Sequence, residues 1–224
     1  MSNFTQDQLK QVAAAKAVEF VPENEYIGIG TGSTVNFFIE ALGKSGKKIK
    51  GAVTTSLKSA ELMEQYEIPQ IQLNEVTRLG VYIDGADEIN HMMQMIKGGG
   101  AALLPEKIVA SLSEQFICIA DESKYVRKLG KFPLPVEVIP MARSMVARKI
   151  VQLGGQPELR IGCKTLHGNE ILDVHGLDLS EPMKMEDTLN RITGVVENGL
   201  FAHRYADLLI LAKKDGAEVI QAHV

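Results

Sequence analysis

Short apolar stretches of strand length alternate with stretches of helical spacing from Leu9 to Ala120. The predicted strands are residues 26–30, 49–54, 68–73, 79–83 and 116–120. The predicted helices are residues 9–20, which follow a capping box of Thr5 and Gln8, then 35–42, 57–65 and 106–114. This alternation predicts a parallel sheet with helices on both faces. Ligands of such sheets bind outside the carboxyl ends of the strands, so motifs that follow a strand are the first candidates for a site.

A second pattern begins after Pro133 and Pro135, which mark a boundary or an edge strand. The predicted strands beyond it are residues 136–139, 158–161, 170–174 and 195–201, with helices at 142–153 and 183–192. The order β-α-β-β-α-β is typical of a ferredoxin-like module. A last strand, 207–212, is expected to return to the first sheet. We therefore predict an α/β domain of residues 1–130 plus 204–224 and a smaller α+β domain of residues 131–203.

Charge and composition exclude several classes of function. The chain of 224 residues has 24 Lys and Arg against 28 Asp and Glu, a net charge of −4, so nucleic acid is not expected as a partner. No apolar run approaches the roughly 20 residues of a membrane span, and the amino terminus lacks a signal-peptide pattern. Cys118 and Cys163 favour reduced thiols, although a disulfide stays open. We predict a cytoplasmic globular protein with no membrane association.

The first candidate motif is Gly28-Ile29-Gly30-Thr31-Gly32-Ser33-Thr34, between a predicted strand and a predicted helix. Its glycines let the backbone approach an anion, while amides, hydroxyls and the helix dipole favour negative charge. The dinucleotide fingerprint would need a glycine where Ser33 stands, and the Gly-Lys-Ser/Thr end of a P-loop is missing. Phosphate binding and a tight turn capped by Ser or Thr both stay open.

The second motif, Asp84-Gly85-Ala86-Asp87-Glu88, directly follows a predicted strand. Its two aspartates can accept hydrogen bonds from sugar hydroxyls, transfer protons or bind a divalent cation. A metal is disfavoured because no histidine or further carboxylate stands at ligand spacing. A solvated acidic turn is the alternative.

The third and fourth motifs follow along the chain. Lys97-Gly98-Gly99-Gly100 combines a cation with successive amides that can form an anion-binding nest, or else is a flexible loop. Pro105-Glu106-Lys107 opens a predicted helix, where proline and an acidic residue are also favourable for helix formation alone. Asp121 and Lys124 follow another strand, and Lys124 is either a phosphate ligand or a surface lysine.

Four motifs in this order resemble the ribose-5-phosphate isomerases of the A type, a family of pentose-phosphate enzymes. They are Gly30-Thr31-Gly32-Ser33-Thr34, Tyr82-Ile83-Asp84-Gly85-Ala86-Asp87-Glu88, Met95-Ile96-Lys97-Gly98-Gly99-Gly100-Ala101-Ala102 and Gly130-Lys131-Phe132-Pro133-Leu134-Pro135-Val136-Glu137. The resemblance extends from Gln6 to the final strand. It implies a Rossmann-like main domain with a smaller lid, interconversion of ribose 5-phosphate and ribulose 5-phosphate, no metal and no cofactor. It also implies a homo-oligomer, of which we expect the homodimer.

The resemblance further implies roles for single residues. Glu106 is the base, and Asp84, Asp87 and Lys97 complete the catalytic set. The substrate contacts are Thr31, Gly32, Ser33, Thr34, Asp84, Gly85, Ala86, Asp87, Lys97, Gly98, Gly99, Gly100, Lys124 and Lys10. Pro105 departs from the family, which often has Arg or another polar residue there.

The chemistry of these residue types fits the reaction. One carboxylate can move a proton from C2 to C1 through an enediolate, whose oxygen Lys97 and the glycine amides can stabilise. Asp84 and Asp87 can orient hydroxyls and help to open the furanose ring. The loop of residues 31–34 and Lys124 can hold groups away from the reacting carbons.

Two other functions stay open. An amino-sugar phosphate isomerase-deaminase shares the Thr-Gly-Ser-Thr loop, and its substrate would be glucosamine 6-phosphate. A non-catalytic sugar-phosphate sensor would normally carry a basic helix-turn-helix, which this sequence lacks, and could dispense with Glu106.

Overall fold

The computed structural model describes residues 4–222. Its helices are α1 (Gln6–Val18), α2 (Ser33–Ser45), α3 (Leu57–Gln65), α4 (Leu103–Leu112), α5 (Arg143–Gln152) and α6 (Pro182–Asn190). Its strands are β1 (Tyr26–Ile29), β2 (Gly51–Thr54), β3 (Leu79–Asp84), β4 (Glu88–Ile89), β5 (Met95–Ile96), β6 (Ser113–Asp121), β7 (Leu134–Val138), β8 (Gln156–Leu159), β9 (Glu170–His175), β10 (Val195–Asn198), β11 (Leu200–Phe201), β12 (Leu208–Lys213) and β13 (Gly216–Gln221). No helix within the described residues is long and apolar enough to cross a bilayer.

Contacts divide the chain into two compact units, the first formed by residues 4–86, 108–125 and 206–222 of the described chain. Its sheet has six strands in the order β13-β12-β6-β3-β1-β2. The strands from β12 to β2 run parallel, and β13 is an antiparallel edge. The core contains Ile27, Phe38 and Ile83, all without solvent exposure. The predicted parallel sheet and the return of the last predicted strand are confirmed.

The amino-terminal helix begins as its sequence predicts. Gln8 N–H donates to Thr5 Oγ1 at 3.3 Å, and Thr5 N–H donates to Gln8 Oε1 at 2.7 Å, so the capping box is present. The helix ends at Val18 rather than at Phe20.

The predicted strand at residues 68–73 is wrong. In this segment Gln70 forms an isolated bridge with Ala52, and a short 3-10 helix then begins at Leu73. Pro69 has no N–H to donate to a ladder. In addition, Glu75 accepts a hydrogen bond from Gln72 N–H at 2.9 Å, which stabilises the turn instead of an extended strand.

The second unit contains residues 87–107 and 126–205. Strands β10, β7, β9 and β8 form an antiparallel sheet in that order, connected through α5 and α6, so the predicted ferredoxin-like pattern is confirmed. The same unit also contains a separate three-stranded sheet in the order β11-β5-β4. This grouping differs from the predicted domain boundaries mainly at residues 87–107, because β5 in that segment pairs with β11.

The predicted strand at residues 195–201 is split at Gly199 between two sheets. Gly199 N–H donates to Pro135 O at 2.8 Å, and its carbonyl accepts from Lys97 N–H at 2.9 Å. A Cβ at this position would lie 2.2 Å from Lys97 O, so only glycine fits where the chain changes partners. Because of this change of sheet, β11 pairs with β5, the strand that directly precedes Lys97.

Candidate active site

The loop between β1 and α2 is held on both sides by the first unit. Gly30 N–H donates to Ile83 O at 2.9 Å, and Gly30 O accepts from Ser59 Oγ at 2.8 Å. The Thr31 hydroxyl donates to Ser56 Oγ at 3.0 Å. The loop is therefore fixed on β3 and on the start of α3.

Asp84, at the end of β3, is completely buried and supports this loop. Its Oδ1 accepts from Thr31 N–H at 3.1 Å and from Gly85 N–H at 2.7 Å, and its Oδ2 accepts from the Tyr82 hydroxyl. A Cβ on Gly30 would lie 1.9 Å from Asp84 Cγ, so the carboxylate occupies the space that a side chain would need. The structure thus gives Asp84 a supporting role that the sequence did not predict.

Helix α2 begins at Ser33 without a side-chain cap. Gly32 is the N-cap residue, has φ of 108° and lacks a side chain, so the predicted alternative of a Ser or Thr cap is wrong. Ser33 is exposed and Thr34 is half-buried. The hydroxyls of both residues and the positive end of the helix dipole therefore stand in the same turn, which is suited to an anion.

Two lysines proposed as substrate contacts belong to the same unit. Lys124 is half-buried in a short 3-10 helix after β6, and Asp121 caps that turn by accepting from Ser123 N–H at 2.9 Å. Lys10 lies on α1, where its ammonium is 3.2 Å from Asp7 Oδ1. Asp121 thus has a structural function beside Lys124.

In the second unit, Lys97 and Glu106 form a buried ion pair. Lys97 follows β5 and Glu106 lies in the first turn of α4. The distance from Lys97 Nζ to Glu106 Oε2 is 3.4 Å, and the two side chains are 3% and 4% exposed. The helix begins at Leu103, three residues before the start of the predicted helix of residues 106–114. A carboxylate and an ammonium in contact, shielded from water, suit proton transfer with stabilisation of a developing charge.

The glycine run of the second unit is tied in place. Asp87 Oδ2 accepts from Gly99 N–H at 2.8 Å, and Gly98 O accepts from Ala101 N–H at 2.9 Å. Arg160 Nη1 donates to Gly98 O at 3.0 Å and to Gly99 O at 3.1 Å. The predicted alternative of a flexible loop is therefore wrong. In addition, one of the amides expected in the anion nest, that of Gly99, already donates to Asp87.

Lys107, named above only as part of the motif that opens α4, has a role that the sequence did not predict, as does Arg160. Its ammonium donates to two carboxylates and two carbonyls, namely Glu186 Oε1 at 2.9 Å, Glu197 Oε1 at 2.8 Å, Asn198 O at 2.8 Å and Leu200 O at 2.6 Å. It also lies 4.9 Å from the centre of the Phe201 ring. No sequence pattern around a single lysine indicates partners so far along the chain. The network connects the turn that carries Glu106 to β11, the strand that holds β5.

We expect Lys107→Met to lower the free energy of unfolding by about 3–5 kcal/mol, because it leaves the buried carboxylate of Glu186 and the half-buried carboxylate of Glu197 without their cation. Urea denaturation would measure the change. The matched control is Lys164→Met, whose exposed ion pair with Glu170 should contribute much less to the free energy of unfolding. Equal effects of the two variants would contradict the assignment of Lys107 as a stabilising centre.

Within residues 4–222, no group of three or more His, Cys, Asp or Glu side chains is placed to hold a metal ion. The carboxylates of Asp84 and Asp87 accept hydrogen bonds from backbone amides instead. That the reaction needs no metal remains a prediction, tested below.

Comparison with known proteins gives concordant matches. Residues 51–216 match the model of the family described as Ribose 5-phosphate isomerase A (phosphoriboisomerase A). A ribose-5-phosphate isomerase A from Neisseria meningitidis serogroup C (strain 053442) is 71% identical over 216 residues, which are 96% of this chain and 97% of that relative. The crystal structure of ribose 5 phosphate isomerase A from Neisseria gonorrhoeae has a TM-score of 0.98 at 68% identity and covers 100% of both chains.

A further solved structure is that of a D-ribose-5-phosphate isomerase in complex with phospho-erythronic acid. It has a TM-score of 0.94 at 36% identity and covers 97% of this chain and 100% of that chain. The resemblance predicted from the four sequence motifs is therefore confirmed. The chain belongs to the ribose 5-phosphate isomerase A family.

Proposed function

We propose that this chain interconverts D-ribose 5-phosphate and D-ribulose 5-phosphate in the non-oxidative pentose phosphate pathway, with Glu106 as the base. Membership of the family supports the reaction. The observation that carries the mechanism is the buried pair of Lys97 and Glu106, 3.4 Å apart.

The reaction moves one proton between neighbouring carbons. Glu106 takes the proton from C2 of the open-chain aldose, the electrons of that C–H bond form a C1–C2 double bond, and the aldehyde oxygen becomes negative. Glu106 then returns the proton to C1 while the hydroxyl proton on O2 passes to O1, which leaves the carbonyl at C2. A single carboxylate serves both half-reactions, so no second base is required.

Lys97 stabilises the negative oxygen of the enediolate. Its ammonium is 3% exposed and is attached to a strand end, so it needs little reorganisation as charge develops on the substrate. The same positive charge favours the ionised form of the nearby Glu106 carboxylate, and only this form can accept a proton.

The remaining residues bind and orient the sugar phosphate. Asp87 is half-buried and accepts from Gly99, so it is better placed than the buried Asp84 to reach substrate hydroxyls. Asp84 acts mainly through the loop that it supports. We assign the phosphate to the loop of residues 31–34 with Lys124 and, more weakly, Lys10, because that turn combines hydroxyls with a helix start.

Conversion assays with the two candidate substrates separate this function from the amino-sugar alternative. The purified chain should convert ribose 5-phosphate and leave glucosamine 6-phosphate unchanged, without release of ammonia. A non-catalytic sensor would bind ribose 5-phosphate without forming ribulose 5-phosphate, and that outcome would contradict the proposal.

We expect activity to survive exhaustive chelation, because the mechanism uses Lys97 rather than a metal ion at the developing oxyanion. The measurement is the conversion of ribose 5-phosphate in excess chelator, compared with the same enzyme resupplied with Mg²⁺ or Zn²⁺. If activity vanished and returned with one of these ions, Asp84 and Asp87 would have to be reinterpreted as ligands.

We also propose that the chain forms a homodimer. Several apolar side chains of the second unit are exposed, among them Met141 at 95%, Ile161 at 89% and Leu166 at 61%. A contact surface between two copies of the chain would bury such side chains. Light scattering of the purified protein tests the subunit count.

A further inference from the structure

We propose that Arg160 is a positioning residue for the isomerisation, which holds the glycine loop of residues 98–100 in the conformation that receives the sugar phosphate. The proposal rests on the function proposed above. Arg160 is distant from this loop in sequence and belongs to none of the four motifs.

The guanidinium of Arg160 bridges a carboxylate and two successive carbonyls. Its Nε and Nη2 donate to Asp173 Oδ2 at 2.8 Å and Oδ1 at 2.5 Å. Its Nη1 donates to Gly98 O at 3.0 Å and Gly99 O at 3.1 Å. The side chains of Arg160 and Asp173 are each 19% exposed, so the bridge is half-buried.

The sequence of this loop does not by itself fix its backbone conformation, so the loop needs the contacts that Arg160 makes. Three successive glycines have many backbone conformations; Gly98 has φ of 103°, and Ala101, which follows the loop, has φ of 61°. The left-handed conformation of Ala101 is unfavourable for a residue with a side chain. Since Gly99 N–H donates to Asp87 and Gly99 O accepts from Arg160, the residue is held through both of its backbone polar groups.

Fixing the carbonyls determines which groups can face an anion. A glycine peptide that rotates about its neighbouring bonds can present either its N–H or its C=O to the substrate. A carbonyl oxygen would repel an enediolate or a phosphate, whereas an amide would stabilise it. By binding the oxygens of Gly98 and Gly99, Arg160 keeps them directed towards a cation and away from the substrate.

Arg160 remains charged in this position. Burial lowers the pKa of its guanidinium, but the hydrogen bonds and the negative charge of Asp173 outweigh burial and raise the pKa above its ordinary value. Lysine cannot replace this arrangement, because one ammonium lacks the planar set of donors that reaches both the carboxylate and two carbonyls.

The test compares Arg160→Lys with Arg143→Met. Arg160→Lys keeps a positive charge beside Asp173, so the fold should persist, while the double contact to the carbonyls is lost. We expect kcat/KM for ribose 5-phosphate to fall by about tenfold to a hundredfold, as for a small misplacement of binding groups. Arg143→Met removes an arginine of the same unit that pairs with Glu170 at 3.1 Å instead of binding the loop carbonyls, so kcat/KM should stay unchanged.

A second measurement reports the loop directly. Hydrogen exchange of the Gly99 and Gly100 amides should become faster in Arg160→Lys and stay as in the wild type in Arg143→Met. Wild-type kcat/KM in Arg160→Lys, or an equal loss in Arg143→Met, would overturn the positioning role. Failure of the proposed function itself would look different, because the wild-type protein would then not convert ribose 5-phosphate at all, while the exchange measurement would still test the contacts that Arg160 makes with the loop.

Discussion

Glu106→Gln is expected to lower kcat for ribose 5-phosphate by roughly a hundredfold to ten-thousandfold, since glutamine cannot accept the C2 proton. Glutamine has nearly the same size as glutamate and keeps the position in the first turn of α4. Binding of the sugar phosphate should persist, because the loop of residues 31–34 and Lys124 are unchanged.

Loss of stability has to be separated from loss of the base. At an exposed helix start the substitution would cost only about 0.3–1 kcal/mol. Here, however, it removes the carboxylate that faces the buried Lys97, and the loss of one member of a buried pair costs about 3–5 kcal/mol. The control is therefore Glu106→Gln combined with Lys97→Met, which removes both charges and should recover part of the melting temperature without recovering activity.

Two measurements decide the role of Glu106. One is turnover at a temperature at which the variant is folded, and the other is exchange of the C2 proton with deuterated solvent. Near-normal values of both would remove Glu106 from the mechanism. The base would then be Asp87 rather than Asp84, because Asp84 is completely buried and accepts hydrogen bonds through both of its oxygens.

Local sequence signals predicted much of the fold. The capping box of Thr5 and Gln8 and the apolar periodicity of the first unit were sufficient for α1 and the parallel sheet. Strands β4 and β5 have two residues each, which is too short for a periodic pattern. The sheet change at Gly199 depends on backbone partners at Pro135 and Lys97, and no local pattern contains that information.

The candidate site shows the same division between local and long-range information. The motifs placed Lys97 beside a run of glycines and Glu106 at a helix start, which are positions that local sequence can indicate. Their contact also depends on the pairing of β5 with β11 and on the start of α4 at Leu103. Arg160 contacts the glycine loop only once the chain has folded, so no local sequence motif could have indicated its role.

Lys97→Met is expected to lower kcat by roughly a hundredfold or more, whereas Lys124→Met should mainly raise KM. Lys97 supplies charge where the enediolate oxygen develops, so its effect is largest in the transition state. Lys124, half-buried in the turn after β6, is assigned to the phosphate, which carries the same charge in the ground state and in the transition state. The measurement is a full dependence of rate on ribose 5-phosphate concentration for each variant.

The double variant Lys97→Met/Glu106→Gln shows whether the pair acts as one unit. If the ammonium serves both the oxyanion and the ionised carboxylate 3.4 Å away, either single change already disables the unit. The double variant should then be only slightly slower than the slower single variant, far from the product of the two losses. Independent effects that multiply would separate the two roles. A kcat loss confined to Lys124→Met, with only KM changed in Lys97→Met, would show that the cations at the two ends of the sugar are assigned in reverse.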